Sequence, residues 1–214
     1  KAIRRQRQMC IRDRLKELDL VVLSPGVPTD LPVVEKMKAA GIRIWGEVEL
    51  AYENAKGDVL AITGTNGKTT TTSLLGEIMK CWKESVYVVG NIGNPYTQAA
   101  PKMTEESVTV AEISSFQLET IDQFHPKVSA ILNITPDHLN RHHTMEEYIR
   151  VKECITENQT MDDLCVLNYE DEILRPFGEK LMAEKKVQVM YFSSLRALKD
   201  GIYYQDGEIR IAKN

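Results

Sequence analysis

The sequence predicts an α/β fold with a mostly parallel sheet, and three observations carry that prediction. Apolar runs rich in β-branched residues recur at 58–63, 86–89, 108–113 and 128–134, with helical or loop segments between them. Runs of this kind suit parallel strands covered on both faces by helices. The first run passes through a glycine-rich turn directly into a helical pattern at 68–80, the arrangement of a P-loop-type domain. A shorter strand–helix–strand series precedes it, like the tail of a second α/β unit entered partway through.

In order, residues 19–24 read as a buried strand closed by the turn formers Pro25-Gly26. Residues 32–40 read as a helix stopped by Gly41, 42–45 as a strand, and 46–55 as a helical stretch. A new unit begins at Lys56-Gly57. After its first four strands come a helix at 144–158, a strand at 164–167, a helix at 171–184 and a strand at 187–192. The last stretch, 202–211, alternates around Asp206-Gly207 and reads as a hairpin with its turn there. No internal repeat or low-complexity segment is present.

Composition narrows the class. The chain has 214 residues, 43% hydrophobic and 27% charged, as in ordinary globular proteins. No apolar run approaches the ~20 residues of a membrane span, and no secretory signal pattern opens the chain. Cys10, Cys81, Cys154 and Cys165 are widely spaced with no CxxC pair, which points to a reduced, cytoplasmic protein. Six of the basic residues and a single acid fall within 1–14, so the rest of the chain carries −9 against a total of −4. A nucleic-acid arm is disfavoured, because the basic start lacks interleaved aromatics and the body is acidic. Met9-Cys10-Ile11-Arg12-Asp13-Arg14 matches the translation of a transposon adapter end used in sequencing libraries, so residues 1–14 are expected to be non-native.

The strongest motif is Thr63-Gly64-Thr65-Asn66-Gly67-Lys68-Thr69-Thr70, set between a strand and a helix. Glycines let the backbone bend so that successive N–H groups face phosphate oxygens, and the helix start adds partial positive charge. Lys68 is then the charge for the β- and γ-phosphates, and the Thr69 hydroxyl a Mg²⁺ ligand. The spacing departs from the general phosphate-loop pattern, since Ile62 stands where a first glycine is expected. With that departure, residues 64–70 are the candidate cofactor-binding segment and ATP the candidate cofactor.

This octapeptide resembles the ATP-binding signature of the Mur ligases and the related folylpolyglutamate synthases. Both activate a carboxylate as an acyl phosphate, which an amine then attacks. Other segments carry the resemblance further, towards the D-glutamate-adding members. Gly90-Asn91-Ile92-Gly93 is similar to their GNIG segment, which implies that Asn91 contacts the muramoyl substrate. Glu112-Ile113-Ser114-Ser115-Phe116-Gln117-Leu118 is similar to a run that differs among the family's members. It implies Glu112 as a Mg²⁺ ligand, with Ser114, Ser115 and Gln117 near substrate. Ser24-Pro25-Gly26-Val27 is similar to a turn lying against the uridine diphosphate. The resemblance therefore implies a central ATP-binding domain at 56–214, incomplete at its C-terminal end, preceded at 15–55 by the tail of a Rossmann-like UDP-binding domain.

Asn133-Ile134-Thr135-Pro136-Asp137-His138-Leu139-Asn140-Arg141-His142 is similar to the family's N-x-x-x-D-H segment, whose histidine implies a ligand of a second Mg²⁺ at His138. Asn140 replaces the more usual aspartate. Three histidines within six residues also invite zinc, but no cysteine or H-E-x-x-H accompanies them. Lys152 shares a helical stripe with Met145, Tyr148, Ile149 and Ile155. On periodicity alone it either snorkels to solvent or is held where its charge is disfavoured. The resemblance implies a carbamylated lysine ligating the second Mg²⁺. The implied catalytic set is Lys68, His138 and Lys152, and the metal set Thr69, Glu112, His138 and Lys152. The implied substrates are UDP-N-acetylmuramoyl-L-alanine and D-glutamate, acted on by a monomer with no nucleic-acid partner and no membrane insertion. Another Mur ligase, a folylpolyglutamate synthase, or a P-loop NTPase binding module remain the alternatives.

Overall fold

A computed structural model describes residues 17–213. The adapter-like segment 1–14, with Cys10, lies outside the described residues. Two sheets are present among the described residues. In the smaller, β1 (Leu20–Leu23) pairs in parallel with β2 (Arg43–Gly46). The crossover between them is α1 (Pro32–Ala39), which begins on a proline that has no N–H to lose and stops before Gly41, at φ +77°.

A short helix, α2 (Glu47–Tyr52), leads into the larger unit and pins it to the smaller sheet. The buried Glu49 carboxylate accepts the N–H groups of Asp122, Gln123 and Phe124 at 2.7, 2.7 and 3.1 Å. Burial raises its pKa, and the three N–H donors oppose that rise. Glu47 Oε1 accepts from the Thr97 N–H and hydroxyl at 2.7 and 2.8 Å.

The larger sheet contains β3 (Asp58–Thr63), β4 (Val86–Gly90), β5 (Val108–Glu112), β6 (Val128–Ile131), β7 (Leu164–Asn168), β8 (Gln188–Ser193), β9 (Gly201–Gln205) and β10 (Glu208–Ala212). Their order across the sheet is β10-β9-β8-β7-β6-β3-β5-β4, parallel throughout except for β9 and β10. That last pair is the expected hairpin, with Gln205 opposite Glu208 and positive φ at both Asp206 and Gly207. Alternate residues of β3 feed opposite faces. Val59 and Ala61 enter the main core with Tyr148, Val151 and Ile155, while Leu60 and Ile62 pack with Leu75 and Met79. All five residues of β5 are buried, the mark of a strand covered on both sides.

The chain order reverses around β3: β4 and β5 lie on one side of it, β6 and everything after on the other. In open α/β sheets, ligands bind beyond the carboxyl ends of the strands at such a reversal. The candidate phosphate loop occupies that place, between β3 and α3 (Lys68–Lys80).

Several elements are shorter than their sequence patterns. The strand expected at 128–134 ends at Ile131, because Leu132 to Thr135 turn aside to bond the phosphate loop. The helix expected at 144–158 is α7 (Met145–Glu153) followed by a single 3₁₀ turn. The one expected at 171–184 is α8 (Leu174–Ala183), with the Asp171 carboxylate accepting the Ile173 and Leu174 N–H groups at 2.9 and 3.1 Å. Three four-residue helices were not apparent from sequence: α4 (Tyr96–Ala99), α5 (Ser115–Leu118) and α6 (Leu139–His142). All three are too short for periodicity to reveal, and only α5 carries a side-chain cap, the Ser114–Gln117 box.

Candidate nucleotide and metal site

The phosphate loop is built on two glycines. Gly64 sits at φ +144°, where an added Cβ would lie 3.1 Å from Leu132 Cβ and 3.2 Å from Leu132 N. Gly67 is the left-handed residue before α3, at φ +84°. No side chain caps that helix, and the first N–H groups of a helix have no acceptor within it. Lys68, Thr69 and Thr70 therefore present a cluster of N–H donors at the positive helix end. Thr69 and Thr70 are exposed there.

Two lysines meet on one carbonyl. Lys68 Nζ donates to Gly64 O at 2.9 Å and Thr65 O at 2.8 Å. Lys152, on α7, donates to the same Gly64 oxygen at 2.9 Å and to Thr63 Oγ1 at 3.5 Å. Lys152 is 1% exposed, so it does not snorkel. Burial pushes its amine down to about 7, Lys68 pushes the same way, and Asp137 opposes. The Tyr148 ring centroid lies 4.8 Å from the amine, and the Tyr148 hydroxyl bonds Thr65 Oγ1 at 3.1 Å.

Glu112 closes β5, in register with Ile62 of β3 and Gly90 of β4. Asn91 Nδ2 donates to its Oε1 at 2.8 Å, while Oε2 is buried with no hydrogen-bond partner among the described residues. An unpartnered buried carboxylate oxygen is costly. That orphan fits a cation ligand, and Thr69 offers a second oxygen at the same rim.

His138 stands further out. It precedes α6 in the left-handed region at φ +51°, half exposed, with its ring 5.0 Å from Phe116 and Nε2 3.4 Å from Asp137 Oδ2. Among the described residues no hydrogen bond joins it to the phosphate loop or to Lys152, and no group of three or more His, Cys, Asp or Glu side chains is placed to hold a metal. The candidate metal set is thus a mixed one.

The candidate substrate residues divide. Asn91 is exposed and tied to Glu112. Ser114 and Gln117 cap α5 reciprocally, with Gln117 Oε1 accepting from Ser114 N at 2.9 Å and from its hydroxyl at 3.0 Å. Ser115 is buried, its hydroxyl 2.9 Å from His142 Nε2. Burial lowers the His142 pKa, against the pull of Glu119. Ser24, Pro25 and Gly26 form the tight turn after β1, closed by Val27 N to Ser24 O at 2.9 Å. The turn is moored to the larger unit: Arg141 bonds Glu119 at 2.6 and 3.2 Å and Val27 O at 3.1 Å, and Thr29 Oγ1 donates to Glu119 at 3.3 Å.

Sequence reasoning missed Asn133, which holds Asn66 from 67 positions away, along with the Tyr148 hydroxyl and Glu119. Tyr148 was visible only as part of an apolar stripe. Asn133 opens the N-x-x-x-D-H segment but its partner was not legible there, and Glu119 carries no local signal, because the partners of both are remote in the chain.

The Mur ligase middle domain family matches residues 62–211. A protein named UDP-N-acetylmuramoylalanine--D-glutamate ligase from Lachnoclostridium phytofermentans is 61% identical over 193 residues, covering 90% of this chain and 42% of that protein. A protein of the same name from Clostridioides difficile is 55% identical, covering 91% and 43%. The chain thus spans under half the length of these relatives. Among solved structures, a MurF ligase from Thermotoga maritima in complex with ADP aligns with TM-score 0.54 at 19% identity, over 91% of this chain and 55% of that one. The UDP-N-acetylmuramate:L-alanyl-gamma-D-glutamyl-meso-diaminopimelate ligase from Neisseria meningitides aligns with TM-score 0.58 at 15% identity, over 94% and 67%. At these identities the structural likeness is one of fold. With its middle domain matched over most of its length, the chain belongs to the Mur ligase family.

Proposed function

We propose that this chain is the ATP-binding middle part, with the end of a UDP-binding domain, of a cytoplasmic, monomeric ligase. The reaction joins D-glutamate to UDP-N-acetylmuramoyl-L-alanine and converts ATP to ADP and phosphate. The observation that favours it over a simple nucleotide switch is the buried Lys152 amine on the Gly64 carbonyl, a desolvated lysine that nucleotide binding alone does not need.

The reaction brings a carboxylate to a γ-phosphate, and like charges oppose the approach. Lys68 and the first N–H groups of α3 face the phosphates and offset part of that repulsion. Two Mg²⁺ ions, when bound, supply the rest of the charge neutralisation. Thr69 and the free oxygen of Glu112 would hold one ion; His138 and carbamylated Lys152 would hold the other. Lys152 suits carbamylation because a large share of its amine is uncharged near neutral pH, and the neutral amine is the form that reacts with CO₂. Asn91, Ser114, Ser115 and Gln117 line or brace the substrate side, and Ser24, Pro25 and Gly26 the uridine diphosphate side.

A coupled phosphate-release assay on the full-length enzyme tests this. Turnover should require both UDP-N-acetylmuramoyl-L-alanine and D-glutamate, and the 214-residue chain alone should show none. Turnover with another amino acid in place of D-glutamate would overturn the substrate assignment.

A further inference from the structure

A phosphate-binding turn works through backbone N–H groups that face the anion. Two N–H groups of this loop are committed elsewhere. Thr65 N donates to the Asn133 carbonyl at 2.9 Å, and Asn66 N donates to the Asn133 side-chain Oδ1 at 2.8 Å. Asn133 Nδ2 donates back to Asn66 O at 3.0 Å. One primary amide thus grips the N–H and the C=O of a single residue, as a neighbouring strand would.

The grip comes from a braced segment. Leu132 N donates to Thr63 O at 3.0 Å and Asn168 Nδ2 to Leu132 O at 3.2 Å, while Ile134 N donates to Asp171 Oδ2 at 2.8 Å. On the loop side, Thr65 Oγ1 accepts from Thr135 N at 3.0 Å. With residues 65 and 66 turned towards Asn133, the groups left to meet an anion are those of Gly67 to Thr70.

We infer that Asn133 is a positioning residue for the phosphate loop, fixing which of its N–H groups face the nucleotide phosphates. This rests on the ATP-binding reading above. Asn133 acts through Asn66 and is not itself given a contact with nucleotide.

The test uses the full-length enzyme, Mg-ADP titration by calorimetry, and amide hydrogen exchange. In Asn133→Ala, exchange should rise in residues 64–67 while β3 and β5 keep their protection, and Mg-ADP affinity should fall by about tenfold or more. A general loss of stability would instead raise exchange in the core strands as well. Affinity within about twofold of wild type, in a variant whose loop exchange has risen, overturns the inference. If Asn133→Ala does not fold, Asn133→Gln, with the amide on a longer arm, is read by the same two measurements and criteria, with a smaller fall in affinity expected. Failure of the wild-type full-length enzyme to bind Mg-ADP would overturn the ATP-binding reading. Wild-type binding that is lost in Lys68→Ala but kept in the Asn133 variants would overturn this inference alone.

Discussion

Lys152 should make the fold less stable than it would be without it. Its amine is held at about 7 against an ordinary 10.5, so the unfolded chain binds a proton there more tightly than the folded one. The cost is fully present below pH 7 and is relieved as pH rises towards 10.5, because over that interval the folded state has already released this proton while the unfolded state still holds it. At about 1.4 kcal/mol per pKa unit, the gap amounts to about 4–5 kcal/mol near neutral pH. Lys152→Met keeps the length and apolar stem but removes the charge. It also removes the hydrogen bond to Gly64 O and the contact over Tyr148, together worth about 1–2 kcal/mol. The variant should therefore be about 2–4 kcal/mol more stable than wild type at pH 7, with the difference shrinking and then reversing towards pH 10. Urea unfolding followed by circular dichroism, in CO₂-free buffer from pH 6.5 to 10, measures it. A variant less stable at pH 7, or a difference that does not change with pH, would refute the buried free amine.

Two further substitutions probe the frame of the site. Asp163 is buried; burial alone would raise its carboxyl, but hydrogen bonds from His125, Thr160 and Lys127 outweigh that and hold it at about 2, below the ordinary 3.8. It contributes about 2 kcal/mol that is present above pH 3.8 and lost as pH falls through 2, so Asp163→Asn should be less stable by that amount at pH 7 and should converge with wild type near pH 2 in acid titrations of stability. Gly90, at φ +95°, would place a Cβ 2.2 Å from Glu112 O, so Gly90→Ala should cost about 2 kcal/mol or more in urea unfolding and, by displacing the end of β5, weaken Mg²⁺ binding measured by calorimetry.

What could be read from sequence follows from how far each residue lies from the partner that gives it its role. The β9–β10 hairpin was legible because Asp206-Gly207 supplies both left-handed positions by itself. The phosphate loop was legible because its strand, glycines and helix are contiguous. Strand order was not, since nothing in the β4 or β6 sequences says which side of β3 each will take. The strand at 128–134 was overcalled for the same reason. Leu132 and Ile134 continue its apolar pattern, but Leu132 and Asn133 bond Thr63 and Thr65 far earlier in the chain, and Ile134 bonds Asp171.

The site residues obey a second rule. Lys152 stood out as a charge on an apolar stripe, and in the fold it is a charge brought into the core beside another lysine. Glu112 stood out only through the run that carries the family resemblance, and in the fold it keeps a buried oxygen with no hydrogen-bond partner among the described residues. Each is a local choice at odds with stability, which is where function concentrates. Asn133 and Glu119 are the opposite case. Fully satisfied, they reconcile distant segments without strain, so no mismatch betrays them in the sequence. A misfit can be recognised from the chain alone, whereas a brace can be recognised only once its two ends are seen together. The bracing roles of the residues that hold the phosphate loop and the His138 segment in register with each other therefore had to come from the structure.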